Sequence, residues 1–482
     1  MRYDSDTRRK SWTVFVAIFF AAVASFYFLD NRSFRLKGLF IAERLPMSVV
    51  GDRVGGVDYY PELARSFLAG HTYLLGPYHP AIYEHPNPYG AEALADKIII
   101  QDASFYKGKY YLYFGPLPVL PYVAVGLVTG HFPTDKIISI GMFIIASSLF
   151  LSFLARSFRS MGRYEFLVLF AIYNIVMFNP LFLDAMKLFK THMVSRFAAL
   201  CLIISGFFVF MNYIKGLNGP DDKSGVKFES IILGSTLLSL ALLCKINFVL
   251  DAGFLIAGFL FYLFRKGYFS LKLVVAAGAP LVVCLSMALF YNYIRFDSIF
   301  ESGAKYQTNS LDLIQNGLFY FMWEPSYNVY MLVKRTYEYF LMPFSVGPNG
   351  KILSNFDGYP IAASPKMYTG GFRGILYLVP AVGVMAFGLF FSKATEKTRK
   401  TSVFSGDHYF AILAGGLFLL HYIPMVFFIQ GLFYYATEFL PFLGLIAFLK
   451  REELLKAVES SRGLRVSLTA SLVISMLLMF SI

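Results

Sequence analysis

The chain has 482 residues, of which 57% are hydrophobic, 18% aromatic and only 15% charged, with a net charge of +13 and a mean hydropathy of +0.58. A soluble domain carries about 25% charged residues, so this composition excludes an ordinary soluble protein. The basic residues lie in short clusters between apolar runs, which excludes a nucleic-acid-binding patch. The three cysteines are too few and too scattered for a disulfide framework or a zinc site. The sequence therefore predicts an all-α, polytopic membrane protein that forms one integral membrane domain over residues 1–482.

Apolar stretches near the length of about 20 residues that a bilayer requires predict about eleven transmembrane helices. They cover 11–29, 136–156, 165–183, 193–214, 228–249, 251–264, 272–292, 374–392, 409–429, 432–449 and 465–482. The first follows three basic residues and is interpreted as a retained anchor, not a cleaved signal. A short apolar piece with three prolines, 115–130, is predicted not to cross. The later basic clusters then share the side of the N-terminus, which the positive-inside rule places in the cytoplasm.

Two outer loops, 30–135 and 293–373, are far longer than connectors between spans. Each is predicted to carry interfacial helices. The first such helix begins at Asp58, a good N-cap residue, and ends near Gly70, a good C-cap residue. The second covers 330–344. Because function concentrates in loops that a scaffold positions, the site is expected here.

Acidic residues of the first loop are candidates for proton transfer. Asp58 can act only as the cap of its helix, or it can also be a carboxylate at the membrane boundary that takes a proton from an incoming hydroxyl. The two roles are compatible. Glu84 and Asp102 follow in the same loop.

Basic and aromatic residues of both loops are candidates for substrate binding. The segment YYLYF after Lys107-Gly108-Lys109 fits an aromatic belt or a short strand, or tyrosines that stack on a sugar beside lysines that hold a phosphate. The second loop opens with further polar candidates or with an ordinary solvated segment. Its candidates are Arg295, Lys305, Tyr306 and Gln307. The loop histidines lack the spacing of a metal site, so no metal ligands are predicted.

Four ionisable residues fall within or near the predicted spans: Lys245, Asp251, His421 and Glu438. Such groups are functional candidates by default, although the snorkelling of side chains at the ends of spans explains Lys245 equally well.

Four segments, in this order, resemble the membrane-embedded glycosyltransferases of the GT-C superfamily. They are DYYPELARSFLAGHTYL, DASFYKGKYYLYFGPLP, RFDSIFESGAKYQ and YYATEFLPFL. The sequence departs from the pattern at Lys245, where an arginine followed by proline is expected, and at Glu438, where an aspartate is expected. The resemblance implies transfer of a sugar from a polyprenyl-phosphate donor to an acceptor hydroxyl, with Asp58 as the catalytic base and Asp102 as a second acid that orients the acceptor or a metal. Some members of the superfamily use a divalent cation and others do not.

The resemblance also implies lipid, glycan or protein acceptors and a bacterial inner-membrane location with the active site on the periplasmic side. Two alternatives stay open. A polymerase or ligase of lipid-linked glycans would depend more on cations of the second loop than on Asp58. A transporter or flippase would place charged residues along a path at mid-membrane.

Overall fold

The computed structural model describes residues 58–76, 78, 80–89, 100, 103–157, 163–177, 179, 191–217, 228–307, 325–341, 345–346, 352–353, 375–395, 406–427 and 436–481. The predicted span at 11–29 and the candidate Asp102 lie outside these ranges. The described residues divide into two compact units. The first unit comprises Leu36–Ile144 and Met186–Glu324, and the second comprises Met1–Arg35, Ile145–Ala185 and Pro325–Ile482.

Helices lie within each of the other ten predicted apolar stretches. In chain order the helices are α1 Tyr59–Leu68, α2 Leu120–Thr129, α3 Asp135–Ser157, α4 Arg163–Val176, α5 Thr191–Leu217, α6 Phe228–Leu242, α7 Val249–Arg265, α8 Leu271–Phe296, α9 Pro325–Thr336, α10 Ile375–Leu378, α11 Ala381–Thr395, α12 Gly406–Phe427, α13 Ala436–Leu449, α14 Arg451–Ser460 and α15 Arg462–Ser481. Two short antiparallel hairpins, β1 Ala103–Tyr106 with β2 Lys109–Leu112 and β3 Ser345–Val346 with β4 Ile352–Leu353, depart from the all-α expectation.

Four of the described helical segments are long and apolar enough to cross a membrane: Met193–Ile214, Ile246–Arg265, Leu271–Phe296 and Gly406–Val426. A fifth is possible if the pair Arg451–Ser460 and Arg462–Leu478, bent by 114°, counts as one span. The multi-pass membrane class is thus supported, while the number eleven stays a prediction. Helix α2 has ten residues, or about 15 Å at 1.5 Å per residue, which is short of the bilayer's hydrocarbon core, and its non-crossing placement stays a prediction.

The predicted boundaries of α1 are confirmed, and its end has a defined cap. Gly70 adopts φ +77°, its N–H donates to Phe67 O at 3.0 Å, and the N–H of His71 donates to Ser66 O at 2.8 Å. This pair of bonds is a Schellman motif, which requires a residue in the left-handed region. Glycine occupies that position without steric cost.

The first unit packs the loop elements onto a buried aromatic core. Tyr60 and Leu63 of α1 share this core with the hairpin residues Phe105 and Tyr110 and with Tyr122 of α2. Within the same unit, α6 packs against α5 and α8. The predicted span 228–249 is not one helix, because α6 ends at Leu242 and a 3₁₀ turn, Ile246–Phe248, precedes α7.

In the second unit, α13 packs against α4 and α12. Gly444 makes this approach possible, since a Cβ there would lie 2.1 Å from Val176 Cγ2. The predicted interfacial helix of the second loop is α9, extended by a π-helical turn over Tyr337–Leu341.

Candidate functional site

Asp58 lies at the start of two helices of the first unit but caps only one of them. It occupies the N-cap position of α1, where its side chain makes no capping hydrogen bond. Its Oδ1 instead accepts a hydrogen bond of 2.9 Å from the backbone N–H of Asp135, the first residue of α3. The Asp58 side chain is predicted to cap α1, but it caps α3 instead, at a residue 77 positions later in the chain. This contact fixes the Asp58 carboxyl group on the N-terminus of α3.

The environment of Asp58 raises its pKa from 3.8 to about 6. Burial of the carboxyl group raises the pKa, and the hydrogen bond from Asp135 N–H and the charge of Arg65 lower it by smaller amounts. A carboxyl group with this pKa is ionised near neutral pH. It also accepts a proton more readily than an exposed aspartate, which suits a general base.

Two residues that sequence analysis missed complete this cluster. Asp135 is fully buried, and its Oδ1 accepts a hydrogen bond of 2.7 Å from the hydroxyl of Tyr122. Tyr122 stacks on Tyr60, with ring centroids 5.8 Å apart. Burial, and then the charge of Asp135, hold the pKa of Tyr122 well above its usual range, so its hydroxyl stays a donor. The sequence does contain a signal for Asp135, because Thr134 is a good N-cap residue directly before the predicted span 136–156. In the structure Thr134 Oγ1 accepts a hydrogen bond of 3.3 Å from Ile137 N and caps α3.

The second and third of the four GT-C-like segments meet at the β1–β2 hairpin. Ser104 of β1 bridges to Gln307, and its hydroxyl donates to Gly303 O at 2.7 Å. At the tip of the hairpin, Lys107 Nζ donates to Asp297 Oδ2 at 2.7 Å. The segment that follows α8 is therefore fixed to the β1–β2 hairpin.

Arg295 makes a buried contact between the same two segments. Its side chain is buried, with Nη1 donating to Leu112 O at 2.5 Å and Nη2 donating to Asn292 Oδ1 at 2.8 Å. Its guanidinium also lies 4.0 Å from the ring centroid of Tyr291. These contacts give Arg295 a structural role at the base of the hairpin.

The other predicted binding residues lie near the surface of this hairpin. Lys109 and Lys305 are exposed, with their ammonium groups 4.2 Å and 5.9 Å from the ring centroids of Tyr73 and Tyr306. Glu84 is exposed and follows Tyr83, whose hydroxyl donates to Gly108 O at 3.3 Å. Of the predicted residues that the structure describes, Asp58 thus clusters with Asp135, and the others lie at or beside the hairpin.

The described residues offer little to a metal ion. Among them, no group of three His, Cys, Asp or Glu side chains could hold one. Asp58 and Asp135 bring two carboxyl groups, but Tyr122 already donates to one of them and the α3 N-terminus to the other.

In the second unit, the other intramembrane candidates form a buried contact. His421 Nδ1 of α12 lies 3.6 Å from Glu438 Oε2 of α13, and both side chains are almost fully buried. Within the first unit, Asp251 is buried in α7 and Lys245 is half-buried before the 3₁₀ turn.

Among solved structures, the chain is similar to two of an archaeal oligosaccharyltransferase. No family model and no curated protein matches the chain. One structure is AglB from Archaeoglobus fulgidus in complex with an inhibitory peptide and a dolichol-phosphate, with 15% identity and a TM-score of 0.47 over 98% of this chain and 56% of that one. The other is the Archaeoglobus fulgidus oligosaccharyltransferase in the apo form, with 13% identity and a TM-score of 0.44 over 89% of this chain and 52% of that one. The chain spans just over half the length of either structure, and likeness of this degree assigns no family.

Proposed function

We propose that the chain is a membrane glycosyltransferase of the GT-C type, which moves a sugar from a polyprenyl-phosphate donor to an acceptor hydroxyl. The observation that carries the proposal is the carboxyl group of Asp58, which is held at the N-terminus of α3 with its pKa raised to about 6. The four GT-C-like segments of the sequence support it. So does the contact between two of those segments at the β1–β2 hairpin.

The reaction follows from this geometry. The acceptor hydroxyl gives its proton to Asp58, and its oxygen forms a bond to the anomeric carbon of the donor sugar. The bond from that carbon to the phosphate oxygen breaks, and polyprenyl phosphate leaves with the electron pair. Proton removal by a positioned base contributes about 10²–10⁴-fold to such a rate. The remainder comes from positioning and from cations near the leaving phosphate.

The test is transfer by the purified chain in proteoliposomes. Radiolabelled polyprenyl-phosphate hexoses are supplied with an envelope lipid extract as the acceptor pool. We expect the label to move to an acceptor and polyprenyl phosphate to be released in equal amount. Movement of the intact donor across the bilayer without cleavage of its bond to phosphate would identify a flippase instead. Formation of longer lipid-linked chains would identify a polymerase.

Lys109 and Lys305 are the cations that we propose for the donor phosphate. Lys107 is neutralised by Asp297, and Arg295 is buried among protein acceptors. The two remaining lysines are exposed. We expect Lys109→Met and Lys305→Met each to raise the KM for the donor with little change in kcat. Lys266→Met, which removes an exposed lysine near the ring of Tyr262, is the matched control. Unchanged donor KM in both variants would contradict the assignment of these two lysines to the donor phosphate.

We further propose a bacterial inner-membrane location with the N-terminus in the cytoplasm and the loops 30–135 and 293–373 outside. The basic clusters between the apolar stretches support this orientation. Single cysteines at Asn87 and at Lys266, both exposed, should then react with an impermeant maleimide from opposite sides of the membrane. Labelling of both from the same side would contradict the non-crossing interpretation of 115–130.

A further inference from the structure

The tip of the β1–β2 hairpin holds a charged pair at the protein surface. The side chains of Lys107 and Asp297 are 68% and 59% exposed, and their closest atoms, Nζ and Oδ2, are 2.7 Å apart. The hydroxyl of Tyr106 donates to the same Oδ2 at 3.1 Å. Both bonds end on Oδ2 of Asp297. Among the described residues none donates a hydrogen bond to Asp297 Oδ1, so this exposed oxygen is available to a ligand.

The backbone of both residues is unusual. Lys107 has φ +46° and Asp297 has φ +52°, and they are the two non-glycine residues with positive φ in the described ranges. Lys107 occupies a two-residue hairpin turn where Asn, Asp or Gly is usual. Asp297 occupies the left-handed cap of α8 where Gly is usual. Exposed ion pairs contribute little to stability. Stability alone therefore does not explain why a lysine occupies the strained position 107, and such strain is typical of functional sites.

Aromatic rings surround the pair. Tyr106 and Tyr306 are half-buried, with ring centroids 4.6 Å apart. The ring centroid of Tyr306 lies 5.8 Å from that of Phe296 and 6.4 Å from that of Tyr89. The surface thus combines one carboxylate, one ammonium group and partly accessible aromatic rings.

We propose that Asp297, Lys107, Tyr106 and Tyr306 form a subsite for a neutral pyranose ring. A carboxylate accepts hydrogen bonds from sugar hydroxyls, an ammonium group donates to them, and the apolar face of a pyranose packs on an aromatic ring. Because the pair carries no net charge, it does not favour a phosphate. The proposal rests on the proposed glycosyltransferase function for its biological meaning. The ring that binds belongs either to the donor sugar or to an acceptor glycan.

Binding is tested by saturation-transfer NMR on the full chain in nanodiscs with the methyl glycosides of glucose, mannose, galactose and N-acetylglucosamine. We expect saturation to reach the ring protons of at least one glycoside. Asp297→Gly should weaken that binding by about tenfold or more, because it removes a charged acceptor. The same change should leave the thermal unfolding temperature equal or higher, because glycine adopts the left-handed backbone freely. Lys266→Met should bind as the unchanged protein does.

The outcomes separate the two proposals. No saturation transfer to any glycoside, or equal transfer in Asp297→Gly, overturns the subsite even if the chain transfers sugar. Glycoside binding that depends on Asp297 supports the subsite even if the transfer assay is negative. Where transfer is measurable, Asp297→Gly raises the KM for the acceptor if the ring belongs to an acceptor glycan, and the KM for the donor if it belongs to the donor.

Discussion

Replacement of Asp58 by asparagine is expected to lower the rate of glycosyl transfer by about 10²–10⁴-fold while the protein still folds. The asparagine Oδ1 can accept the same hydrogen bond from Asp135 N–H that Asp58 Oδ1 accepts at 2.9 Å, so the cap of α3 is kept. The amide cannot accept a proton from the acceptor hydroxyl. Asp58→Ala removes the cap as well and should cost about 1 kcal/mol of stability.

The pH dependence of the unchanged protein gives this prediction a second readout. The pKa of Asp58 is raised from 3.8 to about 6, so kcat/KM should rise with pH through about 6 and then level off as the base ionises. Stability should move in the opposite direction. A raised carboxyl pKa contributes stability below pH 3.8 that is lost as the pH rises through about 6. Asp58→Asn should remove both dependences.

The control is Glu459→Gln, which neutralises an exposed carboxylate at the end of α14. Transfer rates are measured on purified protein, with thermal unfolding followed on the same samples. If Asp58→Asn has normal stability and transfers sugar at a rate close to that of the unchanged protein, Asp58 acts only as the cap of α3. Asp102 would then be the next candidate for the base.

Local patterns in the sequence predict the local elements of this protein well. Apolar runs of about 20 residues locate the helices, because a helix of that length can place its apolar side chains in lipid. The pattern Asp58 to Gly70 predicts α1, because both ends carry residues that suit helix caps. A short strand is one of the structures that the alternating residues after Gly108 predict, and β2 confirms it.

Contacts between distant segments could not be predicted in this way. The hairpin and the second loop meet through Ser104 and Gly303, which are 199 residues apart. Asp58 meets Asp135 across 77 residues, and nothing in the spacing of the acids reveals which helix is capped. The break between α6 and α7 is likewise accompanied by distant contacts, since Gly115 N–H donates to Cys244 O and Leu117 N–H donates to Leu243 O, and Lys245 follows directly in a mostly apolar run.

Gly115, in the segment FGP, is the residue that occupies this break. Its N–H donates to Cys244 O at 2.9 Å, and the N–H of Leu117 donates to Leu243 O at 3.0 Å. The two backbone segments are thus in direct contact. A Cβ on residue 115 would lie 1.9 Å from Leu243 O and 2.9 Å from the carbonyl carbon of Cys244.

Gly115→Ala is therefore expected to destabilise the protein by about 3 kcal/mol or more, at the upper end of the cost of overpacking. The atoms that the new methyl group meets belong to the backbone, so no side chain can rotate away, and separation of the segments breaks both hydrogen bonds. The hydroxyl of Tyr60 donates to Gly115 O at 3.3 Å. Displacement of Gly115 should therefore also shift α1, which follows Asp58, and lower the rate of transfer.

Gly141→Ala is the matched control, because a Cβ on Gly141 of α3 meets nothing within 4 Å. Alanine is the better helix former by about 1 kcal/mol, so this variant should be as stable as the unchanged protein or more stable. Thermal unfolding of the two variants in the same detergent measures the difference. If Gly115→Ala unfolds at the same temperature as Gly141→Ala, the backbone of the FGP segment can move away from Leu243 at little cost. The position of α1, and of Asp58 at its start, would then not depend on this contact.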